Sequence, residues 1–381
     1  MIPSSEPAPY TDHLTRPSRR ELAQLRGELG WLRDGSSAVQ QASLRDLDRA
    51  FMNFFAGHAN YPTFKRRDDR CGSFAVRDLT IVRLNRTWGT VLIPKIGNVR
   101  FRISRLWAEL ETATSARVSL KNNQWHVSFT TPPAAKIISG TGAVTGIDRG
   151  VKNTLALADG TMMQTPSLTG GEKARFLKLE RRLARQNTNA RRTKNWDSHR
   201  RTRTMNQLAR LRQRLNDRRT NWVEQTTTAL ARTYDLIAVE DLHIRNMVRS
   251  AKGTTEIPGT NVAAKSGLNR AILASSWGVT VQRLEHKLPT NALIKVNPRN
   301  TSRTCAACAH VSSGNRESQA EFKCEVCGHQ AHADTNAAIN ILNLGLTKAG
   351  QATPTTSMTA GHAVTGRISL GQPSHVNQPA V

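Results

Sequence analysis

Apolar positions along this chain change period several times, and each change predicts a different element. Between Glu21 and Gly57 the spacing is helical: in QQASLRDLDRAFMNFFAG, Leu44, Leu47, Ala50, Phe51 and Phe54 recur near the helical repeat. From Gly72 to Thr131 the pattern shortens to alternation. SFAVRDLTIVRL, TVLIPKIGNVRF, ARVSL and QWHVSFTT read as short strands, with Asn122–Asn123 as the hairpin turn between the last two. AVTGIDRGVKNTLALADGTMMQT (143–165) predicts two or three further strands, turning at Arg149–Gly150 and Asp159–Gly160. Residues 171–230 return to the helical period. Leu208, Leu211, Leu215, Trp222 and Val223 mark an apolar stripe there, and a helical hairpin broken near Asn187–Asn195 is expected. LIAVED (236–241) predicts a short buried strand ending in acid. Gly253–Gly267 reads as a flexible connection, GLNRAILASSWGVTVQRLEHKL (267–288) as one helix, ALIKVN (292–297) as a strand and ADTNAAINILNLG (333–345) as a helix. The Pro- and Ser-rich residues 1–20 and everything from Leu346 on read as loose or disordered. No internal repeat is visible.

Composition narrows the class. At 381 residues there is room for two or three domains. No stretch approaches eighteen consecutive apolar residues, and MIPSSEPAPYTDHLTRPSRR has no apolar core of a secretory signal. The expectation is a cytoplasmic, nucleoid-associated protein with no membrane partner. Lys and Arg total 55 against 28 Asp and Glu, a formal net charge of +27, and Arg is the commoner base. Arg offers a planar fork suited to phosphate. A nucleic-acid backbone is the natural counter-charge, held by contacts that weaken as salt rises. The competing readings are a ribosomal-type binder or a disordered basic protein, and periodic segments throughout argue against wholesale disorder.

Four of the five cysteines lie in CAACAHVSSGNRESQAEFKCEVC, from Cys305 to Cys327. Two C-x-x-C pairs, Cys305/Cys308 and Cys324/Cys327, have the spacing of a zinc ribbon. Four thiolates complete a tetrahedron and leave no open position, so one structural Zn²⁺ is expected. Gly328 suits the tight turn after the second pair and Ala309 suits its counterpart less well. His310, His329 and His332 read as surface or supporting residues, and Cys71 as an inert thiol.

Three acids flank the cysteine segment in an informative order. Asp148 ends the strand AVTGID, Glu240 ends LIAVE and Asp334 opens the helix ADTNAAINIL. Such acids can converge on one sheet edge, where hard oxygen ligands hold Mg²⁺. A pair of ions there supports phosphodiester cleavage. Singly, each acid has an ordinary role as turn residue, exposed strand end or helix cap. Together in a basic chain they suggest an RNase H-like nuclease core. Asp159, Asp235 and Asp241 read as structural.

The stretches GIDRGVKNTLALADG, IAVEDL, GLNRAILASSWG and TSRTCAAC…CEVCGHQAHADTNAAINI, with SLRDLDRAF and YPTFKRR upstream, resemble the TnpB family over roughly residues 38 to 345. TnpB is the RNA-guided nuclease of insertion sequences, related to compact type V CRISPR effectors. The resemblance implies that Asp148, Glu240 and Asp334 are the acids of a split RuvC-like site using Mg²⁺. It implies that Cys305, Cys308, Cys324 and Cys327 are the zinc ligands of a target-nucleic-acid-binding ribbon, a mobile module at the mouth of the site. The implied partners are a guide RNA and target double-stranded DNA, with base pairing supplying sequence. Residues expected at nucleic acid are Lys65, Arg66 and Arg67; Arg181, Arg182, Arg191, Arg192, Arg200 and Arg201 in the basic hairpin; and Asn269, Arg270 and Arg303.

The expected fold is α+β and multidomain. Residues 1–37 form a poorly ordered or truncated start, since the family's usual opening strand and helix are missing. A helical recognition segment (38–71) and a β-rich wedge domain (72–135) follow. A RuvC-like mixed-sheet domain (140–300) carries the basic hairpin 171–230. The zinc ribbon spans 301–331, the third acidic motif 332–345 and a disordered tail 346–381. A guide-RNA- or DNA-binding regulator that no longer cuts, and a strand-transfer transposase, are the alternative functions.

Overall fold

The computed structural model describes residues 19–63, 72–121 and 124–350, and the chain divides into two compact units. The first comprises residues up to Ala135 together with Ser167–Arg218. It begins with helices α1 (Arg19–Glu28), α2 (Gly30–Asp34) and α3 (Ser37–Phe55). Helix thus starts at Arg19, within the stretch expected to be poorly ordered. The alternating segment yields β1 (Ser73–Arg77), β2 (Ile81–Arg83), β3 (Trp88–Ile93), β4 (Gly97–Arg102), β5 (Ser115–Lys121) and β6 (Gln124–Thr130), with a short α4 (Trp107–Glu111) that the pattern did not announce. These strands form two antiparallel three-stranded sheets, ordered β1-β5-β6 and β2-β3-β4. Val76, Val91, Ile93, Phe101, Leu110 and Val118 fill their shared core. The turn expected at Asn122–Asn123 lies outside the described residues.

The basic block forms α5 (Gly170–Thr193) and α6 (His199–Thr233). Thr169 and Glu172 cap α5 reciprocally, and Arg218 grips Glu172 with two contacts of 2.7 Å. Leu179, Leu208 and Leu211 close the hairpin. The break falls at residues 194–198, later than expected: Asn187 stays helical, and its side-chain oxygen accepts from Arg201 Nε at 2.8 Å.

The second unit comprises Lys136–Pro166 and everything from Arg219 on. Its frame is a five-stranded sheet made from β7 (Val144–Asp148), β8 (Leu155–Leu157), β9 (Met162–Met163), β10 (Leu236–Glu240) and β11 (Leu293–Val296), in the order β11-β10-β7-β8-β9. β10 runs parallel to both β7 and β11, whereas β8 and β9 are antiparallel. A central parallel strand is covered on both faces, which is why LIAVE is apolar without alternation and buried throughout. Ile147, Leu155, Leu157, Ile237 and Val239 pack on one face with Leu230, Leu284 and Leu288. The opposite face receives α10 (Ala333–Lys348), whose Ile341 packs with Ala238 and Val296 of the sheet.

Between β10 and α10 lie α7 (Ile244–Met247), α8 (Val262–Ala274), α9 (Trp277–Lys287), β12 (Glu321–Lys323) and β13 (Gln330–His332). The single helix expected over 267–288 is two. Ser275 turns its hydroxyl back onto the Ala271 carbonyl, Ser276 takes the left-handed conformation at φ 57°, and α9 restarts with Trp277 buried. The connection expected over 253–267 is partly ordered, closed by a Gly253–Pro258 bridge and helical from Val262. The last helix runs on to Lys348, and the expected tail beyond residue 350 lies outside the described residues. No helix among the described residues is long and apolar enough to cross a membrane.

Candidate metal centres

Strand alternation decides where the acids point. On β7, Ile147 faces the large apolar cluster, so Gly146 and Asp148 face α10; on β10, Val239 faces that cluster, so Ala238 and Glu240 face α10. Register pairs Val239 with Ile147, which puts Glu240 and Asp148 side by side at the ends of adjacent parallel strands. α10 brings Asp334 to the same edge in its first turn, behind His332, whose Nδ1 caps the Asp334 N–H at 3.2 Å. All three acids expected from the sequence therefore sit on one side of one sheet end.

Their electrostatics agree. Burial, then the charges of Glu240 and Asp334, push the Asp148 carboxyl up to about 7; the Arg149 N–H and Arg316 pull the other way. Burial likewise raises Glu240, opposed by a hydrogen bond from Thr301 and by the Arg149 charge. Arg149 is itself buried and donates to the Glu240 carbonyl. Asn153 Nδ2 donates to Asp334 Oδ2 at 3.0 Å, and Arg316 Nη2 lies 3.8 Å from Asp334 Oδ1. Asp148, Arg149, Asn153, Arg316, His332 and Asp334 line a pocket; Glu240, only 8% exposed, is not among its lining residues. Arg149, Asn153, Thr301 and Arg316 were not singled out from the sequence for this site. Their partners lie far away along the chain and become visible only once strand register is known.

The cysteines form a tighter constellation. All four Sγ atoms lie within 4.8 Å of one another, with Cys305–Cys327 at 3.7 Å and Cys308–Cys324 at 3.6 Å. Tetrahedral Zn–S bonds of about 2.3 Å require sulfur separations of about 3.8 Å, so the quartet fits Zn²⁺. The thiols shift in opposite directions: the Cys327 N–H draws Cys324 down, burial raises Cys305, and Cys308, against the pull of the His310 N–H, is raised by its contact with Cys327 and by burial. The two knuckles match: Ala309 N–H returns to the Cys305 carbonyl at 2.9 Å and Gly328 N–H to the Cys324 carbonyl at 3.1 Å. Both closing residues have positive φ, 60° at Ala309 and 68° at Gly328, so Ala309 bears the strain that its counterpart avoids. Among the described residues this is the only group of three or more potential ligands drawn so closely together, and Asp148, Glu240 and Asp334 do not form such a group.

Other expected residues are scattered. Arg181, Arg182, Arg191, Arg192, Arg200, Arg270 and Arg303 are exposed. Arg201 is partly occupied, stacked 5.0 Å over Trp196. The Asn269 amide donates to the carbonyls of Val248 and Arg249, holding the loop after α7. Lys65, Arg66, Arg67 and Cys71 lie outside the described residues. Asp159 and Asp235 are structural, as expected: Asp159 accepts from Tyr234, and Asp235 gathers Ser139, Gly140 and Gly142.

Known proteins resemble this chain in the same segments. Residues 277–341 match the family described as "Cas12f1-like, TNB domain", and residues 133–251 match "Probable transposase". The Escherichia coli K12 protein named "Putative RNA-guided DNA endonuclease InsQ" is 34% identical over 321 residues, 84% of this chain and 77% of that protein. A Streptomyces pristinaespiralis protein named "Putative RNA-guided DNA endonuclease" is 29% identical over 84% of this chain and 74% of its own. Among solved structures, Cas12f1 in complex with sgRNA and target DNA covers 81% of this chain and 71% of its own at 15% identity, with a TM-score of 0.46. Identity of 34% sustained over most of both sequences makes this chain a member of the TnpB (OrfB) family, alongside InsQ.

Proposed function

We propose that this protein is an RNA-guided, Mg²⁺-dependent DNA endonuclease of an insertion sequence, with Asp148, Glu240 and Asp334 as its metal-holding acids. The observation that carries the reading is the shared orientation of these acids on the α10 side of one sheet end. A mixed five-stranded sheet with antiparallel strands on one side and parallel strands on the other supports an RNase H-like, RuvC-like core. The donor set suits a hard divalent ion: oxygen ligands, and a buried Asp148 whose charge is opposed by its neighbours until a cation arrives. Bound Mg²⁺ would supply an activated water and stabilise the leaving oxygen in phosphodiester cleavage.

The chain's own groups prepare the site. Arg149 fixes the Glu240 backbone and offsets charge from beneath, Asn153 orients Asp334, and Arg316 adds a positive group at the pocket where a phosphate would enter. One Zn²⁺ on the cysteine quartet would hold the ribbon together. The exposed arginines of α5 and α6 supply phosphate contacts to a guide RNA and its heteroduplex, while base pairing supplies sequence. The sheets of residues 72–135 serve as the wedge domain and α3 as a recognition element. Retention of all three acids argues against a binding-only regulator.

The test is cutting by the purified protein with guide RNA from the end of its transposon. Matched double-stranded DNA bearing the flanking motif is cut in Mg²⁺ and unmatched DNA is spared. Glu240→Gln stops cutting while guide and target binding survive. Equal cutting of matched and unmatched DNA, or undiminished cutting by Glu240→Gln, would overturn the reading.

A further inference from the structure

The zinc knuckle and the carboxylate site share a set of buried hydrogen bonds. Thr301, 4% exposed, donates from Oγ1 to Glu240 Oε1 at 2.7 Å. Its own carbonyl accepts from Asn340 Nδ2 at 2.9 Å, and that amide also reaches the Thr304 carbonyl at 2.7 Å. One turn earlier on α10, Asn336 is fully buried. Its Nδ2 donates to Thr304 O at 2.8 Å and its Oδ1 accepts from Ala306 N at 2.9 Å. Thr304 and Ala306 are the chain neighbours of the zinc-site residue Cys305.

This pattern is unusual for packing alone. The buried residues of α10 are otherwise Ala333, Ala337, Ala338, Ile341, Gly345 and Leu346, all small or apolar. Two buried amides among them cost free energy unless every polar atom finds a partner, and apolar residues of similar size would pack there without that demand. Here the partners all come from the backbone of residues 301–306. Glu240 is meanwhile held from two directions, by Arg149 at its carbonyl and by Thr301 at its carboxylate.

We propose that the first zinc knuckle is a strut of the carboxylate site: Thr301 is a positioning residue for Glu240, and Asn336 and Asn340 fasten the knuckle to the helix that carries Asp334. The inference rests on the nuclease reading above and deepens it. The half of the ribbon around Cys305 is then not a freely moving module at the mouth of the site, and zinc occupancy controls how well the acids hold divalent ions. Groups that orient metal ligands from behind typically change metal affinity by about 10–100-fold when removed.

The experiment uses the full chain bound to its guide RNA and reads Mn²⁺ binding by the loss of free-Mn²⁺ paramagnetic resonance, with zinc content and DNA cutting measured in parallel. Thr301→Val keeps one zinc per chain and guide binding, but loses about tenfold or more in Mn²⁺ affinity. Thr301→Ser, which restores the hydroxyl, recovers most of it. Mn²⁺ affinity unchanged in Thr301→Val, with the unaltered complex binding Mn²⁺ and cutting, would overturn the strut alone. Absence of Mn²⁺ binding and cutting in the unaltered complex would overturn the nuclease reading and the strut together. A second measurement needs no variant, because coupling between sites is reciprocal. In competition with a zinc-selective chelator, the unaltered complex holds zinc more tightly with Mg²⁺ present, and equal zinc affinity with and without Mg²⁺ would overturn the proposal.

Discussion

Asp148 concentrates the electrostatic cost of this site. Its carboxyl titrates near 7 rather than 3.8 because it is buried beside two other acids. A folded-state value above the unfolded one means that the group favours folding fully only below about pH 4, and that this contribution is lost as pH rises through about 7. At about pH 8 the metal-free protein therefore carries a penalty of up to about 4 kcal/mol from this residue. Replacing Asp148 with Asn should raise the metal-free melting temperature at about pH 8 and change it little near pH 4. In the unaltered protein, Mg²⁺ should raise the melting temperature more at about pH 8 than at about pH 5, since the ion displaces a proton. A lower melting temperature for Asp148→Asn at the higher pH would contradict this account. Asp148, Glu240 and Asp334 were legible in the sequence because acids ending apolar strands or opening an apolar helix are conspicuous. Asn153, Thr301 and Arg149 were not: each is an ordinary polar residue until register brings its partner, up to 181 positions away, into reach.

The seating of α10 on the sheet brings the third acid to the other two. Two glycines permit it. A Cβ at Gly146 would stand 2.1 Å from the Ala338 carbonyl oxygen and 2.5 Å from Leu342 N, and one at Gly345 would stand 2.5 Å from the Ala238 Cβ. Gly146→Ala must lift the helix or distort β7, at a cost of about 1–3 kcal/mol or more, and should also abolish cutting by displacing Asp334. Gly267→Ala is the control: nothing lies within 4 Å of its added methyl, and it sits inside α8, so the change should stabilise by up to about 1 kcal/mol. Melting curves of both variants, with a cleavage assay of the first, check this. Equal stability of Gly146→Ala and the unaltered protein would mean that the close helix–sheet contact is dispensable. Elements with a strong period were readable in advance: LIAVE, buried throughout, and the leucine stripe of α6 are examples. Breaks were less so. Ser275–Ser276 interrupts a helix without any Gly or Pro between them, and α4 and α7 are too short to carry a period.

Charge and chemistry are unevenly distributed through the chain. The protein carries +27 overall, yet its fold gathers acids at one sheet end, countered by Arg149 and Arg316. Exposed arginines on α5 and α6 suit a polyanion that must be held without being read, whereas the acids suit ions that act on one phosphate. The proposed cutting depends on one claim: that the acids from β7, β10 and α10 hold divalent cations together. Anomalous scattering from crystals of the guide- and DNA-bound protein grown with Mn²⁺ tests it most directly. Two peaks about 3.5–4 Å apart, coordinated between them by Asp148, Glu240 and Asp334, are the expected result. Peaks held elsewhere, or by one of these acids without the others, would contradict it.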